Sequence, residues 1–223
     1  MNKAARRTAL ARGARGQSAT EFLILLPVLV LLCTAILQFG LLYQAKATLD
    51  YAALQAARAG AVGYGQMDAM RSGLADGLTP LFARSADATG LAKAKWAARS
   101  ESRDGQISRI DVLNPTSTAM RDFARRGTYA GQTIRQIPND TLMYRDERPG
   151  SASGLSIQDA NLLKIRVRYC YSMFVPFANR TIHAVFGLFS SNPCGSGGLG
   201  DTEWRLPLES DAMVRMQTPY RGS

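Results

Sequence analysis

An uncharged, apolar run from Phe22 to Ala45 constrains the fold of this chain more than any other feature. A helix of about 20 residues crosses the roughly 30 Å hydrocarbon core of a bilayer. The apolar region of a cleaved secretory signal has only about 7–15 residues. A lysine interrupts the one small-residue cleavage pattern after the run, Ala45-Lys46-Ala47. The run therefore predicts a transmembrane helix rather than a discarded signal.

The residues before the run predict its orientation. Five basic residues and no acidic residue precede it: Lys3, Arg6, Arg7, Arg12 and Arg15. Short basic flanks stay in the cytoplasm. We therefore expect a single pass with a cytoplasmic N-terminus, and everything after about Lys46 on the outer side. In a bacterium this side of the inner membrane is the periplasm.

The charge balance argues against nucleic-acid binding. The formal net charge is +10, from 27 basic and 17 acidic residues. Without the five basic residues of the leader, 22 basic residues remain against 17 acidic ones, a net charge of +5. Nucleic-acid-binding domains usually concentrate their basic residues in one stripe. The later arginines of this sequence are scattered, so nucleic acid is not an expected partner.

The helical pattern continues beyond the membrane-length run. Residues 43–62 are rich in alanine, the best helix former, and contain no proline. One helix is therefore predicted from about Ser18 to about Ala61. Small and apolar residues at helical spacing lie on one face, which should pack on the chain's own domain or on a neighbouring helix: Leu42, Ala45, Leu49, Ala52 and Ala56.

Shorter helices and then strands follow. Helices are predicted at Met67–Phe82, Ala86–Arg99 and Thr118–Arg126, and strands at Ile107–Leu113, Thr133–Ile137, Leu162–Tyr171 and Asp211–Gln217. Leu163 to Tyr169 alternates apolar with basic residues, which is typical of an antiparallel strand with one wet face. Helices early and strands late predict an α+β fold, with the long helix packed on a small antiparallel sheet.

The three cysteines fall into two groups. Cys33 lies inside the apolar run and is expected to be an inert small hydrophobe. Cys170 and Cys194 both fall in the exported part, where an even pair predicts a disulfide. That bond would close a loop of about 25 residues and contribute about 3–4 kcal/mol in the chain-entropy model. The alternative is two free, buried thiols.

Residues with catalytic or metal-binding chemistry are few. His183 is the only histidine, which provides neither a metal site nor a triad. The Gly-x-Gly-x-x-Gly string at 195–200 lacks the preceding strand and following helix of a phosphate-binding loop. No enzyme activity, cofactor or metal is expected. Two acidic pairs could contact calcium but fit solvated faces better: Asp201 with Glu203, and Glu209 with Asp211.

A single carboxylate, Glu21, stands at the start of the apolar run, where a charge is costly. One interpretation is a capping box, in which Ser18 caps the helix and Glu21 reaches back to the Ser18 amide. The charge also suits the positive end of a helix dipole. This interpretation explains the carboxylate without a special function.

The whole junction resembles the prepilin class of proteins: a basic leader, Gly16, four residues, Glu21 and an apolar helix. The resemblance implies that a membrane peptidase cuts after Gly16 on the cytoplasmic side. Gln17 would then be the first residue of the mature chain and Glu21 the fifth. The new α-amine of Gln17 would pair with Glu21 of a neighbouring subunit and set its register. Many prepilins have Phe or Met at the position of Gln17.

Further motifs resemble the TadE-like branch, the minor pilins or pseudopilins of the tight-adherence (Flp) pilus. They are Gln17 to Phe22, Pro27 in the apolar run, Gln38-Phe39-Gly40, and Ala56 to Ala61. The chain is longer than the major pilin of that system and shorter than the relative with an added adhesion domain. Pro27 either gives a harmless kink or softens the helix where it leaves the bilayer.

The resemblance implies a cleaved leader at 1–16, a pilin-like helix at 17–62 with a transmembrane segment at 22–45, and a periplasmic or extracellular α+β domain at 63–223. The function implied is a minor pilin in pilus initiation, tip formation or adhesion. Its partners would be the prepilin peptidase, the major pilin, other minor pilins and the inner-membrane platform. The alternative is an uncleaved, signal-anchored periplasmic binding or scaffold protein of a secretion system.

Overall fold

The computed structural model describes residues 17–173, Cys194 and residues 205–222. The chain divides into two compact units. The first contains residues 1–42 and 173–191, of which the structure describes 17–42 and Met173. The second contains residues 43–172 and 192–223 and includes the sheet. An α+β fold with a long N-terminal helix and a small antiparallel sheet is confirmed.

The long helix, α1, comprises Gln17–Val62 and has 46 residues. The predicted bounds, about Ser18 to about Ala61, are each within one residue of these. In the second unit the alanine-rich face of α1 forms part of the core. Its members are buried: Ala45, Leu49, Ala52, Ala53, Ala56, Ala57 and Ala61. The sequence left open whether this face packs on the chain's own domain or on a neighbouring helix. In the structure it packs on the chain's own domain.

Helix α2, Met67–Phe82, has the predicted bounds, and it packs closely on α1. A Cβ atom added at Gly77 would lie 2.4 Å from the Ala52 Cα, and one added at Gly73 would lie 2.7 Å from the Ala59 Cβ. Only glycine allows backbones to approach this closely. Glycine is a weak helix former, yet Gly73 and Gly77 are positions where the backbone of α2 approaches α1 closely.

Helix α3, Ala88–Arg103, begins two residues later and ends four residues later than predicted. Asp87 caps its N-terminus and accepts a hydrogen bond from the Gly90 amide at 3.3 Å. Hydrogen bonds from Ser85, then from Thr89 and the Gly90 amide, lower the pKa of Asp87 to about 2. An ionised cap of this kind satisfies an amide that the helix leaves without a partner.

Three antiparallel strands form the main sheet, in the order β1-β4-β5. They comprise Ser108–Asn114, Leu162–Ser172 and Arg205–Arg215. The alternation predicted for β4 is confirmed, because Leu163, Ile165, Val167 and Tyr169 are buried, whereas Lys164 is exposed and Arg166 and Arg168 are partly exposed. Strand β5 begins six residues before the predicted start and ends two residues before the predicted end.

The segment after β1 differs from the prediction. Helix α4, Ser117–Phe123, stops three residues short of the predicted Arg126. Strand β2, Arg125–Tyr129, follows at once and pairs with β3, Gln132–Gln136. The helix prediction was therefore wrong at 125–126. Ala130 and Gly131 have φ angles of 47° and 79°, and two positive φ angles are the backbone of a two-residue hairpin turn.

Two short helices complete the described elements. A 3₁₀-helix comprises Leu142–Tyr144, and α5 comprises Ile157–Ala160. Ser156 caps α5 and accepts a hydrogen bond from the Asp159 amide at 3.1 Å. Residues 146–156 between these helices contain a turn at 151–153 and no helix or strand.

The segment after β5 returns to the end of α1. Thr218 accepts a hydrogen bond from the Tyr64 amide at 3.0 Å and donates one to the Ala61 carbonyl at 3.1 Å. The Arg221 guanidinium lies 3.4 Å from the ring centroid of Tyr64 and 3.8 Å from that of Tyr129. These cation–π contacts join the C-terminal segment, the end of α1 and the β2–β3 hairpin.

Candidate functional site

The first half of α1 presents a continuous apolar surface. Large apolar side chains point outward on every side of the helix between Phe22, 60% exposed, and Leu37, 64% exposed. Such a patch is far larger than a soluble monomer normally exposes. In the part of the chain that the structure describes, α1 is the one helix long and apolar enough to cross a membrane.

Glu21 lies one turn into α1, and its side chain is exposed. It is the only ionisable carboxylate between Gln17 and Lys46. The structure describes α1 from Gln17 onward, with Ser18 and Glu21 both inside the helix. The structure thus places Glu21 one turn after the residue that the sequence analysis expects to be the first of a processed chain. Gly16 lies outside the described residues.

Pro27 lies inside α1, six residues after Glu21. Because proline has no amide hydrogen, it cannot donate to the Leu23 carbonyl, the usual acceptor four residues earlier. The Thr34 hydroxyl lies about two turns further along and donates to the carbonyls of Val30, at 3.0 Å, and Leu31, at 2.9 Å. The apolar segment therefore combines one missing backbone hydrogen bond with one hydroxyl satisfied within the helix.

A disulfide joins Cys170, in β4, to Cys194. The Cα atoms lie 5.6 Å apart, and the cysteines are 24 residues apart in sequence. This is the pair that the sequence favoured over two free thiols. The Cys170 carbonyl also accepts a hydrogen bond from the Arg205 guanidinium at 3.3 Å. The disulfide therefore joins Cys194 to β4, and the hydrogen bond from Arg205 joins the end of β4 to the start of β5.

The acidic pair Glu209 and Asp211 has a structural role. Register places Glu209 opposite Arg168, and Asp211 opposite Arg166. The carboxylates accept hydrogen bonds from these guanidinium groups at 2.8–2.9 Å. The bond from Arg166 lowers the pKa of Asp211. Cross-strand ion pairs thus occupy the carboxylates that the sequence offered as calcium ligands.

Residues 17–173, 194 and 205–222 contain no group of three potential metal ligands from His, Cys, Asp and Glu. The remaining candidates of the sequence, namely His183, the glycine-rich string at 195–200, and Asp201 with Glu203, lie outside the described residues.

Sequence reasoning missed one buried polar pair. The Tyr169 hydroxyl donates a hydrogen bond to the Glu101 carboxylate, which joins β4 to α3. Burial, and then this hydrogen bond, raise the pKa of Tyr169. Tyr169 belonged to the predicted buried face of β4, so its hydroxyl required a partner. No sequence pattern identified Glu101 as that partner.

Comparison with known families identifies the N-terminal part of the chain. Residues 16–58 match the family model described as TadE-like protein. The comparison with curated proteins and that with solved structures give no match. The matched residues include most of α1, with its exposed apolar surface and the first part of its alanine-rich face. The matched family is pilus-related, and the apolar helix is long enough for a membrane anchor. Residues 16–58 are thus similar to the TadE-like proteins, a pilus-related family.

Proposed function

We propose that this protein is a minor pilin, or pseudopilin, of a tight-adherence (Flp) pilus. A prepilin peptidase removes residues 1–16, and the mature protein acts in pilus initiation, tip formation or adhesion. The observation that carries the proposal is that the TadE-like match begins at Gly16 and continues along an exposed apolar helix. The precursor would cross the inner membrane once, with residues 63–223 in the periplasm, and could then enter an extracellular pilus.

The proposed role of Glu21 is electrostatic. Cleavage after Gly16 would create an α-amine on Gln17 in a region of low dielectric constant. A charge there is costly alone, and an opposite charge on a neighbouring subunit offsets that cost. The pair would therefore select the register at which a subunit enters the assembly. The partners of the proposed pilin would be the major pilin, other minor pilins and the inner-membrane platform.

The cleavage proposal is tested by immunoblotting wild type, Gly16→Ala and Gly13→Ala in cells with and without the prepilin peptidase. Gly13 is the matched control, because it is a leader glycine three residues away. We expect wild type and Gly13→Ala to lose about 16 residues only when the peptidase is present, and Gly16→Ala to keep them. Equal migration of all three would show an uncleaved anchor instead, which is the alternative function.

The role of Glu21 is tested by Glu21→Gln and Glu21→Val. Glutamine removes the charge but can still cap a helix, since capping boxes accept Glu or Gln. An intermolecular ion pair predicts that both variants are cleaved normally and that neither supports pilus formation. Normal piliation with glutamine and loss with valine would show that hydrogen bonding, not charge, is what matters at this position.

A further inference from the structure

Three exposed arginines line an open cavity between α2 and α3. The cavity has a volume of about 450 Å³. Arg71 and Asp68 lie on its α2 side, and Arg99 and Arg103 lie on its α3 side. Volumes of about 300–1,000 Å³ are typical of small-molecule sites. No part of the proposed pilin function uses this cavity.

The helices place these side chains together through their spacing. Arg99 and Arg103 are four residues apart on α3, and Asp68 and Arg71 are three apart on α2, so each pair shares one helix face. Between them lie two small, buried residues, Ala75 and Ser102. The Ser102 hydroxyl donates to the Arg99 carbonyl at 3.0 Å. Small side chains at this helix contact leave the space open.

The carboxylates of the described residues do not balance the positive charge of this cavity. Among the described residues, none of the three guanidinium groups has a carboxylate within 4.0 Å, whereas Arg166 and Arg168 each have one. The three arginines and Asp68 leave two net positive charges around one cavity. Like charges four residues apart on a helix destabilise it, so Arg99 and Arg103 carry a cost that a bound anion would remove.

We propose that this cavity, lined by Arg71, Arg99 and Arg103, is a binding site for a phosphomonoester. Guanidinium groups bind phosphate oxygens through paired, charge-assisted hydrogen bonds. A phosphomonoester carries close to two negative charges at neutral pH, which matches the net charge of the cavity. The cavity also has room for an organic group attached to the phosphate.

The direct test is equilibrium dialysis of the full-length protein, in a nonionic detergent, against radiolabelled inorganic phosphate at pH 8. We expect saturable binding of one phosphate per chain. Arg99→Gln should weaken this binding at least tenfold, and Arg71→Gln on the opposite helix should do the same. The two substitutions lie on different helices, so equal weakening by both points to loss of the site and not to misfolding of one helix. Circular dichroism checks that each variant is folded.

Two further variants distinguish a defined site from general charge attraction. Lys93→Gln removes the same charge from α3 at an exposed residue outside the cavity, so binding should stay within twofold of wild type. Asp68→Asn removes the one carboxylate of the cavity and should tighten binding about threefold or more. Equal weakening by Lys93→Gln and Arg99→Gln, or no saturable binding, would overturn the proposal.

Competition identifies the source of the phosphate. Glycerol 3-phosphate is a monoester, whereas short-chain phosphatidylglycerol is a diester with a single negative charge. We expect glycerol 3-phosphate to displace the labelled phosphate at concentrations at least tenfold lower than phosphatidylglycerol. Preferential displacement by phosphatidylglycerol would assign the cavity to a lipid headgroup and would contradict the charge argument for a monoester.

Discussion

Replacing Gly77 by alanine tests whether the close contact between α1 and α2 holds the second unit together. The new Cβ would lie 2.4 Å from the Cα and 2.8 Å from the Cβ of Ala52. Carbon atoms in ordinary contact lie about 3.5–4.0 Å apart. Because the nearest atom belongs to the backbone of α1, a change of side-chain rotamer cannot relieve the overlap. Helix α2 must therefore withdraw by about 1 Å, which would bring the 2.4 Å approach near the contact range.

The expected cost follows from two opposing effects. Overpacking of a core costs about 1–3 kcal/mol, and we expect the upper end here, because the fully buried Leu74 and Leu78 must move with the helix. Alanine is about 1 kcal/mol better than glycine inside a helix. The net loss in the free energy of unfolding is about 2 kcal/mol. With a urea dependence of about 2 kcal/mol per molar, the midpoint falls by about 1 M.

Pulse proteolysis of the full-length protein over a series of urea concentrations measures this midpoint. Gly105→Ala is the control, since its Cβ would meet no atom within 4 Å. That variant should unfold at or slightly above the wild-type midpoint. Adding Ala52→Gly to Gly77→Ala should restore little stability, because it leaves the Cα in place. A Gly77→Ala midpoint equal to that of Gly105→Ala would refute the reasoning.

Two further predictions concern local bonds. Cys170→Ser should lower the free energy of unfolding by about 3–4 kcal/mol in the chain-entropy model, as measured by the same assay, and a reducing agent should lower the wild type equally but leave the variant unchanged. An NMR titration of Asp87 should give a pKa of about 2, and Ser85→Ala should raise that pKa. Because the pKa is lower in the folded protein, the cap stabilises the fold fully above the ordinary value of 3.8. This stabilisation is lost as the pH falls through about 2.

Strong local patterns accounted for the elements that the sequence predicted best. Helix α1 has high alanine content and no internal glycine between 41 and 59, and β4 has strict alternation. In both segments the local preference agrees with the burial that the fold imposes. Helix α2 has apolar residues at helical spacing, as α1 does, so its bounds were also predicted. The role of its glycines is visible only in their contacts with α1.

Features that depend on pairing between distant segments were not predictable in the same way. Strand β2 contains Arg125 and Arg126 and lacks apolar alternation, so its partner strand and the Ala130-Gly131 turn define it. The ion pairs of Glu209 and Asp211 depend on the register of β5 against β4. No local sequence pattern indicates either of these strand registers.

The candidate sites show the same division. The N-terminal motif is contiguous, and its match to the family model follows from residues that are neighbours in the sequence. The arginine-lined cavity combines Arg71, on α2, with Arg99 and Arg103, on the next helix, α3. In the sequence these arginines looked scattered. Only the packing of α2 against α3 reveals that three of them share a cavity.

The contact between Tyr64 and Thr218 has a consequence for the order in which the protein can fold during synthesis. These residues are 154 positions apart, and Arg221 stacks on Tyr64 from the same late segment. Helix α1 is made early, yet its end is completed only after residues 217–221 have been synthesised. Contacts between such distant segments slow folding. The emerging chain must therefore stay unaggregated with its core incomplete until β5 and the residues that follow it have arrived.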